Sequence, residues 1–199
     1  MADTKTSDLT ALTGVNVAQT ADVIPIVDTD ATTLKKILVS ELAKSLEVHG
    51  TEQATTSGTA INFTSIPAWV KRITVMFIGV STDGSSNLLV QIGDTGGVEA
   101  TGYTSGVVLV NTPASSTSTI GFIISNTTTS ASVFHGAVTL MMEDSSDFTW
   151  VSTGLLNSAG QLHVSAGSKA TSAALDRVTI TTVNGTDAFD AGAINILYE

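Results

Sequence analysis

The chain contains no cysteine, which excludes a disulfide framework, a thiolate zinc site and a cysteine nucleophile. Charge is scarce as well: eight Lys and Arg against eighteen Asp and Glu make up 13% of 199 residues and leave a net charge of −10. That balance repels phosphate backbones and removes the electrostatic term that drives nucleic-acid binding, so no nucleic acid is expected as a partner. Between Arg72 and Lys169 there is no Lys or Arg at all, and a trypsin-like protease has almost nothing to cut there. Long hydrophobic runs are missing too. The longest, Val75 to Val80, is strand-sized and far short of the roughly 20 residues that cross a bilayer, so no membrane insertion is expected. The polar, acidic N-terminus lacks the basic and apolar regions of a signal peptide.

What is present favours β structure. Hydrophobic residues make up 42% of the chain and the mean hydropathy of +0.32 is high for a soluble monomer, which suggests apolar surface covered between subunits. Thr and Ser take the polar role that charges usually fill, and Thr with Val and Ile suits a pleated, half-buried surface. Short apolar clusters recur at Ile61–Phe63, Ile73–Val80, Leu88–Ile92, Val107–Val110, Ile120–Ile124, Val133–Met142, Phe148–Leu156, Leu162–Val164, Val178–Val183 and Ile194–Tyr198. Turn-rich segments such as Asp83-Gly84-Ser85-Ser86-Asn87 and Asp94-Thr95-Gly96-Gly97 separate them. This spacing predicts a mainly β domain over 59–199, an antiparallel two-sheet sandwich of jelly-roll type with roughly eight to ten strands. His49 to Gly58 is polar, carries two glycines and reads as a linker. Residues 1–48 stand before it as a separate small module, a β-hairpin followed by a short helix.

Two strand patterns carry more than composition. Arg72 to Val80 alternates only weakly, as in a strand covered on both faces. Asp176 to Val183 alternates, which places Val178 and Ile180 inward and Thr179 and Thr181 outward. The following Asn184-Gly185 tolerates positive φ and is the strongest hairpin signal in the chain.

Candidate chemistry is thin, and neither catalysis nor a cofactor nor a metal is expected. Glu143, Asp144 and Asp147 form the densest carboxylate group, as a glycosidase pair would require, but they fall between two apolar strands where a polar turn is needed anyway. Asp28 and Asp30 share the spacing of the first two ligands of a calcium loop, yet the required glycine is missing and Val39 stands where the bidentate Glu belongs. Asp187 and Asp190 could hold a hydrated cation or form an Asx turn. His49, His135 and His163 lie far apart, none in a nucleophile order. Gly93 to Gly97 is glycine-rich but no Lys follows, so it is a turn and not a phosphate loop. Trp69, Trp150, Tyr103 and Tyr198 are the residues suited to stacking on a sugar. Core positions are expected for both tryptophans, which leaves Tyr103 as the exposed candidate for glycan contact.

The first fifty residues hold the most specific signal. Val23, Ile24, Ile26 and Val27 are β-formers split by Pro25, which lacks a ladder donor and confines the strand to an edge. Leu34, Ile37 and Leu38 resume the apolar pattern, and Ser40-Glu41-Leu42 has the form of a helix start. Such a unit is too small to bury its own apolar side chains and needs a partner. The succession Leu9-Thr10-Ala11-Leu12-Thr13-Gly14, Asp22 to Asp28, Lys35-Lys36-Ile37 and Ser40-Glu41-Leu42 resembles the N-terminal segment of tailed-bacteriophage fibre, tailspike and head-decoration proteins. Phe63 to Phe77 resembles the opening of a β-rich domain recurrent in phage tail and fibre proteins.

The resemblance implies a non-enzymatic virion structural protein. It would be a homotrimeric tail- or head-fibre subunit, made in the host cytoplasm and displayed on the virion surface. Residues 1–48 would dock on another virion protein of the tail, neck or capsid, with Ile24, Pro25, Ile26, Val27, Lys35, Lys36, Ile37 and Leu42 as the attachment face. The alternatives are a receptor- or glycan-binding adhesin module contacting a host-surface glycan, or a capsid decoration (cement) protein.

Overall fold

A computed structural model of the chain describes residues 47–110, 112 and 114–199, together with the backbone of 23–27 and 34–38. The chain divides into two compact units, Met1–Val48 and His49–Glu199. In the first, β1 (Val23–Val27) pairs antiparallel with β2 (Leu34–Leu38). A two-stranded ribbon leaves each strand one unpaired edge, so Pro25 can be accommodated without breaking a ladder on both sides. The expected helix start at Ser40 lies outside the described residues.

The second unit is mainly β, and no helix occurs among the described residues. Its short strands are β3 (Val48–His49), β4 (Gln53–Ala54), β5 (Ile61–Phe63), β8 (Gly97–Val98), β10 (Ser115–Ser118) and β11 (Phe122–Ile123). The longer ones are β6 (Arg72–Thr82), β7 (Leu88–Asp94), β9 (Thr104–Leu109), β12 (Phe134–Asp144), β13 (Thr149–Ser158), β14 (Gln161–Ala170), β15 (Arg177–Thr182) and β16 (Phe189–Tyr198). Nine strands form the large sheet in the order β10-β9-β14-β13-β12-β6-β16-β3, with β4 also on β16. Five form the small sheet, β11-β7-β15-β5 with β8 on β7.

The two sheets share one core. Ile73, Val75 and Phe77 of β6, Val138 and Leu140 of β12 and Trp150 of β13 meet Val90 and Ile92 of β7, Val178 and Ile180 of β15, and Ile61 and Phe63 of β5. Each of these aliphatic side chains contributes about 1.5–3 kcal/mol by leaving water. On β6 the inward residues alternate with half-buried Thr74 and Met76 and exposed Ile78, so this strand has one covered face, not the two its sequence suggested.

Four further expectations are corrected. The described part of the second unit holds fourteen strands, more than the eight to ten read from apolar clusters, because β4, β8 and β10 are polar or glycine-bearing and carry no apolar cluster. Residues 49–58 are not a free linker: β4 pairs with Ala193 and Ile194, and fully buried Thr55 donates its hydroxyl to Ala191 O at 2.6 Å. Thr179 and Thr181 are buried on the far side of β15, where their hydroxyls bond Asn62 Oδ1 and Thr59 O, both at 2.8 Å. Asn184-Gly185 does form a turn, with Gly185 at φ 68°, but the strands it joins belong to different sheets, so it is a corner and not a hairpin.

A last feature shapes the large sheet. Gly79 (φ 64°) and Gly192 (φ 94°) face each other where the β6–β16 register shifts, and a Cβ on Gly192 would run into the Gly79 backbone. The bulge needs glycine at that point for both conformation and space.

Candidate functional site

In the attachment segment the register sets Ile24 opposite Ile37, Pro25 opposite Lys36 and Ile26 opposite Lys35, with Val27 opposite Leu34. The backbone thus brings together seven of the eight residues expected at the attachment face. Leu42 lies outside the described residues.

Tyr103 is not an exposed sugar platform. It is 2% exposed, packs edge-on against Phe122 at 4.9 Å, and its phenol oxygen accepts Ile92 N–H at 2.8 Å while its O–H faces Glu99 O at 2.8 Å and Ile92 O at 3.1 Å. The flanking glycine and threonines disguise a core tyrosine as a loop residue. Burial pushes the phenol well above its usual range.

Around Tyr103 the fold gathers charges that are far apart in sequence. Lys169, 8% exposed, forms an ion pair with Glu99 and stands 5.7 Å from the centre of the Tyr103 ring. Glu99 Oε1 accepts Ser172 N–H at 2.7 Å and its hydroxyl at 2.9 Å, and the same hydroxyl lies 2.8 Å from Asp94 Oδ2. Burial would raise the Glu99 carboxyl, but Lys169 and the Ser172 hydrogen bonds outweigh it and hold the group below its usual range. The Ser172 hydroxyl, the backbone N–H of Gly96 and Arg177 lower Asp94. Every polar atom here faces a partner, so this is a strut between β14 and the β7–β9 turn, not a nucleophile with a base.

The other carboxylates behave as turn caps. Asp144 Oδ1 accepts both the N–H and the hydroxyl of Ser146 at 2.7 Å, and Asp147 Oδ1 takes those of Thr149 at 3.1 and 2.6 Å. Asp187 binds Ser86 N–H at 2.8 Å and Asn184 Nδ2 at 2.5 Å, tying the corner to the β6–β7 loop, while Asp190 accepts the Ser81 hydroxyl. Among the described residues no group of His, Asp and Glu is arranged to hold a metal ion.

Among the described residues, two open places present aromatic or polar groups to solvent. At one, Trp69 is 48% exposed and leans on Tyr198, with ring centres 6.2 Å apart and planes at 53°. A core position was expected for Trp69, but Pro67 and the short Ala68-Trp69 turn carry it past the start of β6 to the surface. Trp150, by contrast, is buried as expected.

The second is a polar cavity of about 320 Å³ between the loop after β11 and the β13–β14 turn, lined by Asn126, Thr129, Ser132, Ser158, Gln161 and His163 among others. His163 points inward from β14, stacks edge-on against Phe134 at 5.4 Å, and accepts Asn126 N–H on Nδ1 at 3.0 Å. Burial lowers its proton affinity. His135 is exposed on β12, where Nδ1 faces Gly79 N–H at 3.3 Å. Sequence reading passed over Asn126 and Gln161; the polar run Ser125 to Ser130 was the available signal, and it reads as an ordinary loop. Comparison of the chain with protein-family models, with curated proteins and with solved structures found no match to any of them.

Proposed function

We propose that the chain is a non-enzymatic structural subunit of a tailed-bacteriophage virion, a homotrimeric fibre subunit docked through residues 1–48 and carrying its sandwich outward on the virion surface. The observation that carries this reading is the outer face of the large sheet. Val108, Val164 and Leu155 stand side by side on β9, β14 and β13, exposed by 43, 42 and 52%, and the row continues through Ala137 and Met76. No charged side chain stands on that face of β9, β13 or β14. An apolar, uncharged patch of this kind suits burial against identical copies.

The resemblance of the N-terminal segment supplies the virion address and the threefold assembly. Repeated crossing of the chain between sheets, from β5 through β6, β7, β9, β11 and β12, supports a jelly-roll-like form of the sandwich. Light scattering of the purified protein should give a species of three times the 20.4 kDa chain mass. A monomer at micromolar concentration overturns the assembly. Deleting residues 1–48 should abolish incorporation into particles, and normal incorporation overturns the docking role.

A second reading, a glycan-binding adhesin, is favoured by exposed Trp69 beside Tyr198, since paired aromatic faces stack on sugar rings. Its test is loss of glycan-array or host-cell binding in Trp69→Ala.

A further inference from the structure

The most exposed large apolar side chain among the described residues is Ile78, at 65%. It stands on the outer face of β6, on the same side as Thr74 and Met76, directly before the bulge at Gly79. The register explains why it projects. β12 pairs Gly136 with Phe77 and Phe134 with Val80, so Ile78 and Gly79 together oppose the single residue His135. Such a bulge bends the strand and re-aims a side chain. Here Gly79 N–H donates to His135 Nδ1 at 3.3 Å, and Gly192 leaves the space that the bulge needs on the other side. Two glycines at positive φ thus hold an isoleucine out in water.

The same face carries a hollow four strands away, at β9 and β14. Gly106 and Ala166 lie opposite each other there and leave the surface low, while Val108 and Val164 wall one side and Ser115 to Thr117 of β10 close the end. The space is about 330 Å³, and no charged residue lines it. A charged side chain entering it would lose its water without meeting a counter-ion, so the occupant must be neutral and apolar. Ile78 of another copy satisfies both conditions. It cannot be the contact of a single neighbour that covers the whole face. Adjacent strands turn by about 20–25°, so four steps swing the outward direction by roughly 80–100° and point knob and hollow at different neighbours.

We propose that copies of this chain associate head to tail, with Ile78 of one copy seated in the Gly106–Ala166 hollow of the next. The contact rests on the assembly reading above and gives it a direction: knob and hollow are different surfaces, so the interface is heterologous and closes into a ring, as a homotrimer requires, instead of ending at a twofold pair.

The absence of native cysteine permits a direct test in the full chain. A disulfide forms only where two Cα atoms come within about 7 Å. Under mild oxidation, Ile78→Cys and Ala166→Cys combined in one chain should give covalent products up to the trimer, and an equimolar mixture of the two single variants should stop at a covalent dimer. Either single variant alone should cross-link far more slowly. Gly106→Ile fills the hollow without disturbing β9, since a Cβ there meets only Ser116 O at 3.7 Å and Thr117 Cγ2 at 4.0 Å, and Ile78→Asp alters an exposed position. Each should lower the mass seen by light scattering, with thermal melting confirming that the variant is folded. A monomeric wild type overturns the assembly reading and this contact together. An assembled wild type whose mass both variants keep overturns the contact alone, as does a double-cysteine chain that cross-links no faster than the single ones, or rapid cross-linking of Ile78→Cys with itself.

Discussion

Lys169→Met is the sharpest test of how the sandwich tolerates charge in its interior. Methionine keeps the length of the side chain and its apolar contacts but leaves Glu99 without its cation. Removing one partner of a buried pair costs about 3–5 kcal/mol in general, because the remaining charge is stranded. Here Glu99 keeps two hydrogen bonds from Ser172 and one-fifth of its side-chain surface, so the cost falls beneath that range, to about 2–3 kcal/mol. With a urea m-value of about 2 kcal/mol/M, the unfolding midpoint should fall by about 1 M when measured at one fixed protein concentration. The sign of the pH dependence follows from Glu99. Its folded pKa lies below the usual carboxylate range, so the pair's stabilisation is fully present above the unfolded value and is lost as pH falls through the lowered folded value. The gap between wild type and Lys169→Met should therefore narrow in acid. In a Glu99→Gln background the same Lys169→Met change should cost far less. A midpoint shift below about 0.2 M, or an equal cost in both backgrounds, would refute the stranded-charge argument.

Other perturbations probe the remaining contacts. Tyr103→Phe should cost about 1–3 kcal/mol, since Ile92 N–H loses its acceptor in the core, while sugar binding stays unchanged; a stable variant with lost binding would reverse the assignment of Tyr103. Asp187→Ala should lower stability by about 1 kcal/mol through loss of the bracket between the corner and the β6–β7 loop, as read by thermal melting. Because hydrogen bonds from Asn184 and Ser86 hold the Asp187 carboxyl below its usual range, the difference should vanish only as pH falls through that lowered value. Val164→Glu should reduce the assembly to monomers in light scattering while the isolated fold melts normally; an unchanged mass would show that this face is not the contact.

The apolar clusters of the sequence predict the long strands well, because a buried strand must carry a contiguous or alternating apolar set: Ile61–Phe63 is β5 to the residue, β6, β7, β14 and β16 each contain their cluster, and β12, β13 and β15 contain all but one end residue of theirs. The strands missed are those without an apolar set of their own. Ser115–Ser118 has no apolar period at all, yet it extends the large sheet beside β9. The same limit explains the aromatics. Tyr103 and Trp69 exchange their expected places because exposure depends on what the distant Phe122 and Tyr198 supply, and no local window contains them. The cavity was illegible for a related reason: Asn126 and His163 are 37 residues apart, and only the crossing between sheets makes them neighbours.

The placement of charge connects these observations. Of the eight basic residues, only Lys71, Arg72, Lys169 and Arg177 belong to residues 49–199, and three of them are paired, with Glu199, Glu99 and Asp176. The acidic residues Asp83, Glu99, Asp147, Asp176 and Asp187 sit at turns and strand ends, where carboxylates cap backbone N–H groups or meet a cation. The rims of the sandwich are therefore negative and its outer face across β9, β13 and β14 neutral. Two copies approaching face to face bury apolar side chains without desolvating a charge, whereas any approach by the rims sets carboxylate against carboxylate. At physiological salt that repulsion reaches only about 8 Å, enough to reject rim contacts without opposing a face contact. A chain with so little charge would thus still direct the association proposed above, because the charge it has lies where contact is to be avoided.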